Sequence, residues 1–310
     1  MFRTMILFVA LTACVIGCKK KRAEPDTPDI PISEPVSTRA PAAFTIKLRE
    51  EQKGDQIAVV KTASNTESLK VNGGADPFAR SQNAADHFEY TETVVDRPPG
   101  ADRATRATRA YKRAERSENG APAAPMSYVN KTVLIEKRDA RYSYTVNGAP
   151  LPEPETRKFR KLYERKDQLK NEDFLPGRPV RVNEKWHYDH PVMKKLGADF
   201  EMPIDVAKCS GGGRLSKTYS RNGQQWGTIE IRADLVLDGA LVPEGATEAL
   251  AVSGTITLTL TLDTAIDGSA HDGIVKMKVT GNIFGKLAAG GVELETTIES
   301  NGEERRTTVK

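Results

Sequence analysis

The stretch Thr255-Ile256-Thr257-Leu258-Thr259-Leu260-Thr261-Leu262 alternates strictly between threonine and an aliphatic residue. Successive side chains of a β-strand point to opposite faces, so the four threonines share one face and the four aliphatic residues share the other. Strands with a single apolar face are typical of antiparallel sheets, which bury one side. The stretch therefore predicts a central strand whose face bearing Ile256, Leu258, Leu260 and Leu262 is buried or meets a ligand.

The same alternation recurs on both sides of this strand, at residues 44–48, 228–237 and 292–298. Asn-Gly pairs at 222–223 and 301–302 and Asp-Gly pairs at 238–239 and 267–268 supply residues that favour tight reversals. The residues from Val133 to Val146 are typical of another hairpin, turning near Asp139. Together these signals predict a mainly β (α+β) fold of about a dozen strands, as a strongly curved antiparallel sheet or incomplete β-barrel.

Two segments have helical spacing instead. Residues Thr156 to Lys170 place Phe159, Leu162 and Tyr163 on one side, which predicts an amphipathic helix packed on the sheet. Residues Arg103 to Arg116 form the second, within an insertion at 97–126 that is flanked by proline and glycine. We expect this basic insertion to be helical or disordered.

The insertion carries the strongest local charge. Five arginines are spaced 3, 3, 4 and 3 apart, which aligns them on one face of a helix; they are Arg103, Arg106, Arg109, Arg113 and Arg116. Such a stripe is a candidate contact for anionic lipid headgroups, an acidic envelope polymer or an acidic partner. The alternative is a solvated helix or loop without a binding role.

The N-terminus carries an apolar run, Leu7 to Gly17, that ends at Cys18. The run is too short to span a bilayer and has the length of a signal-peptide core. It resembles the signal peptide of bacterial lipoproteins, in which a cysteine after a small residue is lipidated on its thiol and becomes the mature N-terminus. The resemblance implies residues 1–17 as signal peptide and Cys18 as the lipidated residue. Cys14, which follows Leu11-Thr12-Ala13, is the alternative.

Four basic residues, Lys19 to Arg22, follow the run, and this excess opposes export under the positive-inside bias. An uncleaved anchor or a cytoplasmic protein with an apolar start is therefore the alternative to the lipoprotein assignment. The next residues, to position 42, are polar and rich in proline, which predicts an extended tether over 18–42. Residues 43–310 are left for a single β-rich domain.

Composition sets further limits. With 46 basic and 42 acidic residues, the net charge is only +4, so no nucleic-acid partner is expected. If Cys18 carries lipid, a mature chain starting there has Cys209 as its single other cysteine, and an internal disulfide framework is excluded. Fold stability must then come from an apolar core.

Three clusters contain residue types that bind metals, bind phosphate or catalyse reactions in other proteins, but none of the three has the complete set or spacing that such a site needs. His187, Asp189 and His190 are potential metal ligands, but a zinc site needs three or four that converge. Cys209 precedes three glycines without phosphate-loop spacing or a predicted helix. Ser269, His271 and Asp272 lie too close in sequence to relay a proton in line. We expect no metal, no cofactor and no catalytic residue.

The stretch Val180-Arg181-Val182-Asn183-Glu184-Lys185-Trp186, with the strand-rich tail after it, resembles uncharacterised secreted or lipid-anchored bacterial proteins. In those proteins a strand with a glycine before the tryptophan opens a series of long antiparallel strands, and Asn183 occupies the glycine's position here. The resemblance covers the C-terminal part of the chain and implies no catalytic residue.

The sequence thus predicts a non-enzymatic protein of the bacterial cell envelope, exported and anchored to a membrane through lipid on Cys18. Strands with one apolar face must cover that face. Either a concave sheet face binds an apolar or amphiphilic ligand, or the core is closed and the protein is a structural or protein-interaction scaffold of the envelope. The expected partners are the membrane and such a ligand or an envelope protein.

Overall fold

The structure is a computed structural model, and it describes residues 42–73, 77–101, 103–139, 141–164, 169, 171–242, 248–287 and 291–309. The signal peptide, Cys14, Cys18 and all but the last residue of the predicted tether lie outside the described residues. None of the described helices is long and apolar enough to cross a membrane.

The described chain is mainly β, which confirms the predicted fold class. The strands are β1 (Ala43–Phe44), β2 (Gln56–Asn72), β3 (Phe78–Asp96), β4 (Arg106–Glu118), β5 (Ala124–Pro125), β6 (Thr132–Arg138), β7 (Arg141–Val146), β8 (Ala149–Pro150), β9 (Val180–Arg181), β10 (Lys185–His187), β11 (Ser210–Arg221), β12 (Gln224–Leu241), β13 (Leu250–Ala265), β14 (Gly273–Leu287) and β15 (Glu293–Thr308). The helices are α1 (Glu153–Tyr163), a 3₁₀ turn (Asn171–Phe174) and α2 (His190–Asp199).

Thirteen strands form one sheet in the order β10-β11-β12-β13-β14-β15-β2-β3-β4-β6-β7-β8, with β5 attached to β4. All the strand pairs are antiparallel, and the first long strand, β2, lies beside the last, β15. In the described chain the end strands β10 and β8 do not pair with each other, so the sheet is open. Strands β1 and β9 form a separate pair.

The alternation on β13 is confirmed by burial. Ile256 and Leu258 are each 1% exposed, whereas Thr255 and Thr259 are exposed. We call the side of the sheet that carries Leu258 the apolar face and the opposite side the polar face. The apolar face of β12 to β14 packs against α2 and the residues after it, through Met193, Leu196, Phe200 and Met202.

The predicted amphipathic helix is confirmed as α1, but it begins and ends earlier than the expected Thr156–Lys170. Pro154 lies in its first turn, where the missing N–H costs nothing, and Glu164 is its C-cap. Residues 165–168 and 170 lie outside the described residues. Phe159 and Tyr163 are buried against the apolar face of β4, β6 and β7, in a second core cluster rich in tyrosine.

The second helix, α2, was not predicted. Asp189 is its N-cap and accepts a hydrogen bond from the backbone N–H of Val192 at 3.1 Å, and Pro191 lies in its first turn. An acidic cap followed by proline is a helix-start signal. The sequence therefore contained the signal for the start of this helix.

Some turn predictions are confirmed and others are wrong. Asn222-Gly223 joins β11 to β12, and Asp139 has a positive φ between β6 and β7. Asn301-Gly302 and Asp238-Gly239 instead lie inside β15 and β12. Asn301 pairs in register with Lys278 on one side and Ser64 on the other, so two neighbouring strands hold it extended.

The helix predicted for Arg103–Arg116 is wrong. Arg106 to Glu118 form β4, which pairs with β3 on one side and with β5 and β6 on the other. Ala107, Tyr111 and Ala114 point to the apolar face and are at most 5% exposed. The expected insertion is therefore part of the main sheet.

Candidate functional site

The five predicted arginines do not form one stripe. A spacing of three or four residues aligns side chains on a helix, but on a strand it distributes them over both faces. Arg113 is exposed and pairs with Glu115 beside it, whereas Arg109 is 13% exposed. The other three also have partners, namely Tyr163 for Arg103, Glu136 for Arg106, and Asp86 and Glu118 for Arg116.

Arg109 lies between the sheet and α1. Its Nε donates to Glu92 Oε2 at 2.9 Å, and its guanidinium carbon lies 4.9 Å from the ring centre of Tyr90 and 5.4 Å from that of Tyr163. Burial alone would lower the pKa of Arg109, but the Glu92 carboxylate holds it well above its ordinary value. A buried cation that is paired with a carboxylate supports the fold and is not available to an anionic surface.

The polar face offers a more open site, built from rows of side chains that stand opposite one another on neighbouring strands. One row, which we call the Phe284 row, runs across β12, β13, β14, β15 and β2 and consists of Asp238, Ser253, Phe284, Glu295 and Lys70. The next two rows consist of Val236, Thr255, Asn282, Thr297 and Ser68, and of Asp234, Thr257, Thr280, Glu299 and Thr66.

Two neighbouring cavities lie along these rows, and together we call them the polar-face groove. The larger has a volume of about 540 Å³ and includes Asp238, Ser253, Phe284, Lys286, Glu293 and Glu295 in its lining. The smaller has a volume of about 390 Å³ and includes Thr66, Thr255, Thr257, Thr280, Asn282 and Thr297. Both are shallow and open, so they suit a ligand that lies on the sheet.

Backbone geometry beneath the groove requires glycine. Gly254, between Ser253 and Thr255, has a φ of +137°, a conformation that other residues adopt only with strain. A Cβ built there would lie 2.1 Å from the carbonyl oxygen of Asn282. A larger residue at position 254 would therefore clash with the backbone of β14.

Charges in the groove are balanced locally. The Glu295 carboxylate pairs with Lys70 at 3.2 Å, and Glu293 pairs with Lys286 at the same distance. Asp238 lies 3.3 Å from Lys208. These exposed pairs contribute little to stability, but they leave the groove without a strong field of either sign.

Four polar side chains of the groove are unused within the described chain. No described residue forms a hydrogen bond with the side chain of Ser253, Thr255, Asn282 or Thr297, and all four are exposed. Hydroxyls and an amide supply both donors and acceptors. The groove can therefore bind uncharged polar groups.

The remaining predicted clusters have local structural contacts. His187 ends β10, Asp189 caps α2 and His190 begins that helix. In the described part of the chain, no three His, Cys, Asp or Glu side chains are grouped so that they could hold a metal ion. Cys209 is half-buried, and its sulfur donates to the carbonyl of Asp205 at 3.2 Å and accepts from the N–H of Val236 at 3.3 Å.

Ser269 and His271 have different hydrogen-bond partners in the structure. Ser269 Oγ donates to Asp267, whereas His271 Nε2 lies 2.8 Å from Asp55 Oδ2 and 3.1 Å from Arg49 Nε. Burial raises the pKa of Asp55, but a backbone hydrogen bond from Gln52 and the nearby His271 and Arg49 hold it below its ordinary value. The cluster ties the segment before β2 to the loop before β14.

No family model matches the chain, and no curated protein matches it either. Among solved structures, the chain is similar to lipovitellin, in a study of its lipid–protein interactions, at 9% identity and a TM-score of 0.33. The match covers 84% of this chain and 26% of that one, so this chain spans about a quarter of the lipovitellin chain.

Two further similarities are weaker. The attachment invasion locus protein Ail of Yersinia pestis is 8% identical with a TM-score of 0.14, and the match covers 82% of this chain and 99% of that one. A mutant of Rh. blastica porin is 10% identical with a TM-score of 0.17, at coverages of 80% and 100%. At these identities and scores, the similarities support no inference about ligand or activity.

Proposed function

We propose that this chain is a non-enzymatic, lipid-anchored protein of the bacterial cell envelope that binds an envelope component on the polar face of its sheet. After removal of the signal peptide at 1–17, the lipid on Cys18 and the tether over 18–42 would hold the body near a membrane. Extended, the tether could reach several tens of ångströms, at ~3 Å per residue.

One observation carries the choice of surface. Two helices cover parts of the apolar face: α2 covers it over β12 to β14, and α1 covers it over β4, β6 and β7. The polar face keeps an open groove along at least three rows of side chains. The sequence predicted either an apolar ligand-binding face or a scaffold with a closed core, and the geometry favours the closed scaffold. An amphiphilic ligand would bind this face through its polar part.

The anchoring half of the proposal is tested by exchanging the two candidate cysteines separately. Cys18→Ser should abolish metabolic labelling with fatty acid and move the protein into a soluble fraction, whereas Cys14→Ser should change neither. If Cys14→Ser alone abolishes labelling, Cys14 is the lipidated residue. If neither change affects labelling and fractionation, the lipoprotein assignment fails.

The binding half is tested with the full Cys18→Ser chain, which removes anchoring by lipid, mixed with isolated envelope and sedimented. Thr255→Arg places a long charged side chain in the groove. Thr259→Arg makes the same change on the same strand and face, outside both cavities. Thr255→Arg should reduce co-sedimentation and Thr259→Arg should not. Equal binding by both variants, or no binding by the parent chain, would refute the proposed surface.

A further inference from the structure

Phe284 is unusual for its position. It points to the polar face in the middle of the Phe284 row and is 49% exposed. Its direct cross-strand neighbours are Ser253 and Glu295, so no apolar side chain stands opposite it on either side. An exposed ring in a polar groove provides a flat surface on which a ligand can stack. Its direct cross-strand neighbours add no apolar side chain, so they do not favour a ligand that is apolar throughout.

The groove around the ring is polar without a net field. Glu293 and Glu295 are each paired with a lysine, yet a paired, exposed carboxylate keeps free lone pairs that accept hydrogen bonds. A strongly anionic or cationic ligand would have to displace these ion pairs, whereas an uncharged ligand would not. The charge pattern therefore favours a neutral ligand.

The groove is also long. The lining residues of β13 extend from Ala251 to Thr257, which is about 20 Å at ~3.3 Å per residue. Beyond the ring, this length offers the unused side chains of Thr255, Asn282 and Thr297. A ligand that matches the whole site needs one apolar patch for the ring and many hydroxyls along its length.

We propose that the polar-face groove binds a neutral, hydroxyl-rich glycan. One sugar ring stacks its C–H face on Phe284, because the positively polarised hydrogens of that face meet the electron-rich face of the aromatic ring. Hydroxyls of this and neighbouring sugars donate to Glu293 and Glu295 and exchange hydrogen bonds with Thr255, Asn282 and Thr297. The inference rests on the proposed function and names the ligand class of the same site.

The same chemistry has two sources in an envelope, a free polysaccharide and the headgroup of a glycolipid. The test uses the full Cys18→Ser chain without detergent and measures affinity by calorimetry for three soluble probes: a neutral glucan, a neutral mannan and an anionic polygalacturonate. Phosphatidylcholine vesicles with and without a neutral glycolipid form the second arm. Binding to soluble glycan identifies the polysaccharide source, and binding only to glycolipid vesicles identifies the headgroup.

The decisive variants are a matched pair. Phe284→Ala should weaken binding about tenfold, as expected for the loss of one aromatic contact. Phe78→Ala should leave it unchanged, because Phe78 is similarly exposed, at 52%, but is absent from the lining of both cavities. Phe284→Trp, which keeps a stacking ring, should retain binding. Circular dichroism of each variant checks that the fold is kept.

Three results would overturn the inference: no binding to any neutral glycan or glycolipid, binding only to the anionic polymer, or unchanged binding by Phe284→Ala. The proposed function has a separate test. If Thr255→Arg still reduces co-sedimentation with envelope while the neutral glycans do not bind, the ligand class is wrong and the surface is right. If the parent chain does not bind envelope at all, the proposed function itself fails.

Discussion

Replacing Arg109 tests whether the arginine-rich segment is part of the core. In Arg109→Gln, Glu92 would lose the charged partner that lies 2.9 Å away, in a site where both side chains are at most 13% exposed. Removing one partner of a buried ion pair costs about 3–5 kcal/mol, and the lost contacts with two tyrosine rings add to this. Tyr163 still donates to Glu92 at 3.4 Å, so we expect about 3–4 kcal/mol.

The assay is equilibrium unfolding in urea at pH 7, followed by circular dichroism and by tryptophan fluorescence. Arg113→Gln is the control, because Arg113 lies on the same strand and is exposed, and its unfolding midpoint should match that of the wild type. Adding Glu92→Gln to Arg109→Gln should recover part of the loss, since no unpaired buried charge remains. If the free energy of unfolding of Arg109→Gln lies within ~0.5 kcal/mol of the wild-type value, Arg109 and Glu92 do not form a buried ion pair.

Two further predictions concern the core. Burial pushes the pKa of Glu304 up, but Lys61 and Arg306 pull it well below its ordinary value. On acidification the Glu304 carboxylate is protonated in the unfolded chain before it is protonated in the folded one, so stability is retained above about pH 5 and falls below ~4.3. Glu304→Gln should make that fall shallower. Identical urea midpoints of variant and wild type across the acid range would contradict this prediction. Leu258→Ala should lower the free energy of unfolding by about 2–5 kcal/mol, whereas Thr259→Ala on the opposite face should lower it by less than ~0.5 kcal/mol. Similar losses for the two variants in a thermal or urea titration would refute the assignment of faces.

Much of the sheet could be predicted because its signal is local. On β13 the residue types separate completely between the faces, and the period of two fixes which side is buried. Helix α1 was found for the same reason, since Phe159 and Tyr163 recur at helical spacing. Where the periodic pattern of apolar residues lies within a single segment, the sequence is sufficient to predict the element and its buried face.

The helix prediction for the arginine-rich segment was wrong because the segment carries two conflicting patterns. The arginines follow a helical spacing, while Ala107, Arg109 and Tyr111 alternate as in a strand with a charge on the buried side. A buried arginine is acceptable only when a carboxylate reaches it, and Glu92 comes from a different strand. That contact depends on the register between β3 and β4, which no single segment shows.

The groove was missed for a related reason. The threonines of β13 were correctly predicted to face away from the core, but the groove forms only because Asp238, Phe284 and Glu295 align with Ser253 on the same face, from three other strands. The Asp-Gly pair at 238–239 even predicted a turn where β12 continues. Pairing with β13 keeps it extended, so tertiary contacts outweigh the local turn preference.

The central claim is that, over β12 to β14, the polar face of the sheet is open and the apolar face is closed. It is tested most directly by the reactivity of cysteines at two neighbouring positions on β13. In a full-length chain with Cys14, Cys18 and Cys209 replaced by serine, Thr255→Cys and Ile256→Cys would place a thiol on opposite faces of the same strand. We expect a water-soluble maleimide to label Thr255→Cys in the folded protein as fast as in urea, and to label Ile256→Cys only after unfolding. Rapid labelling of folded Ile256→Cys would contradict the account, because it would show that the apolar face is open to solvent.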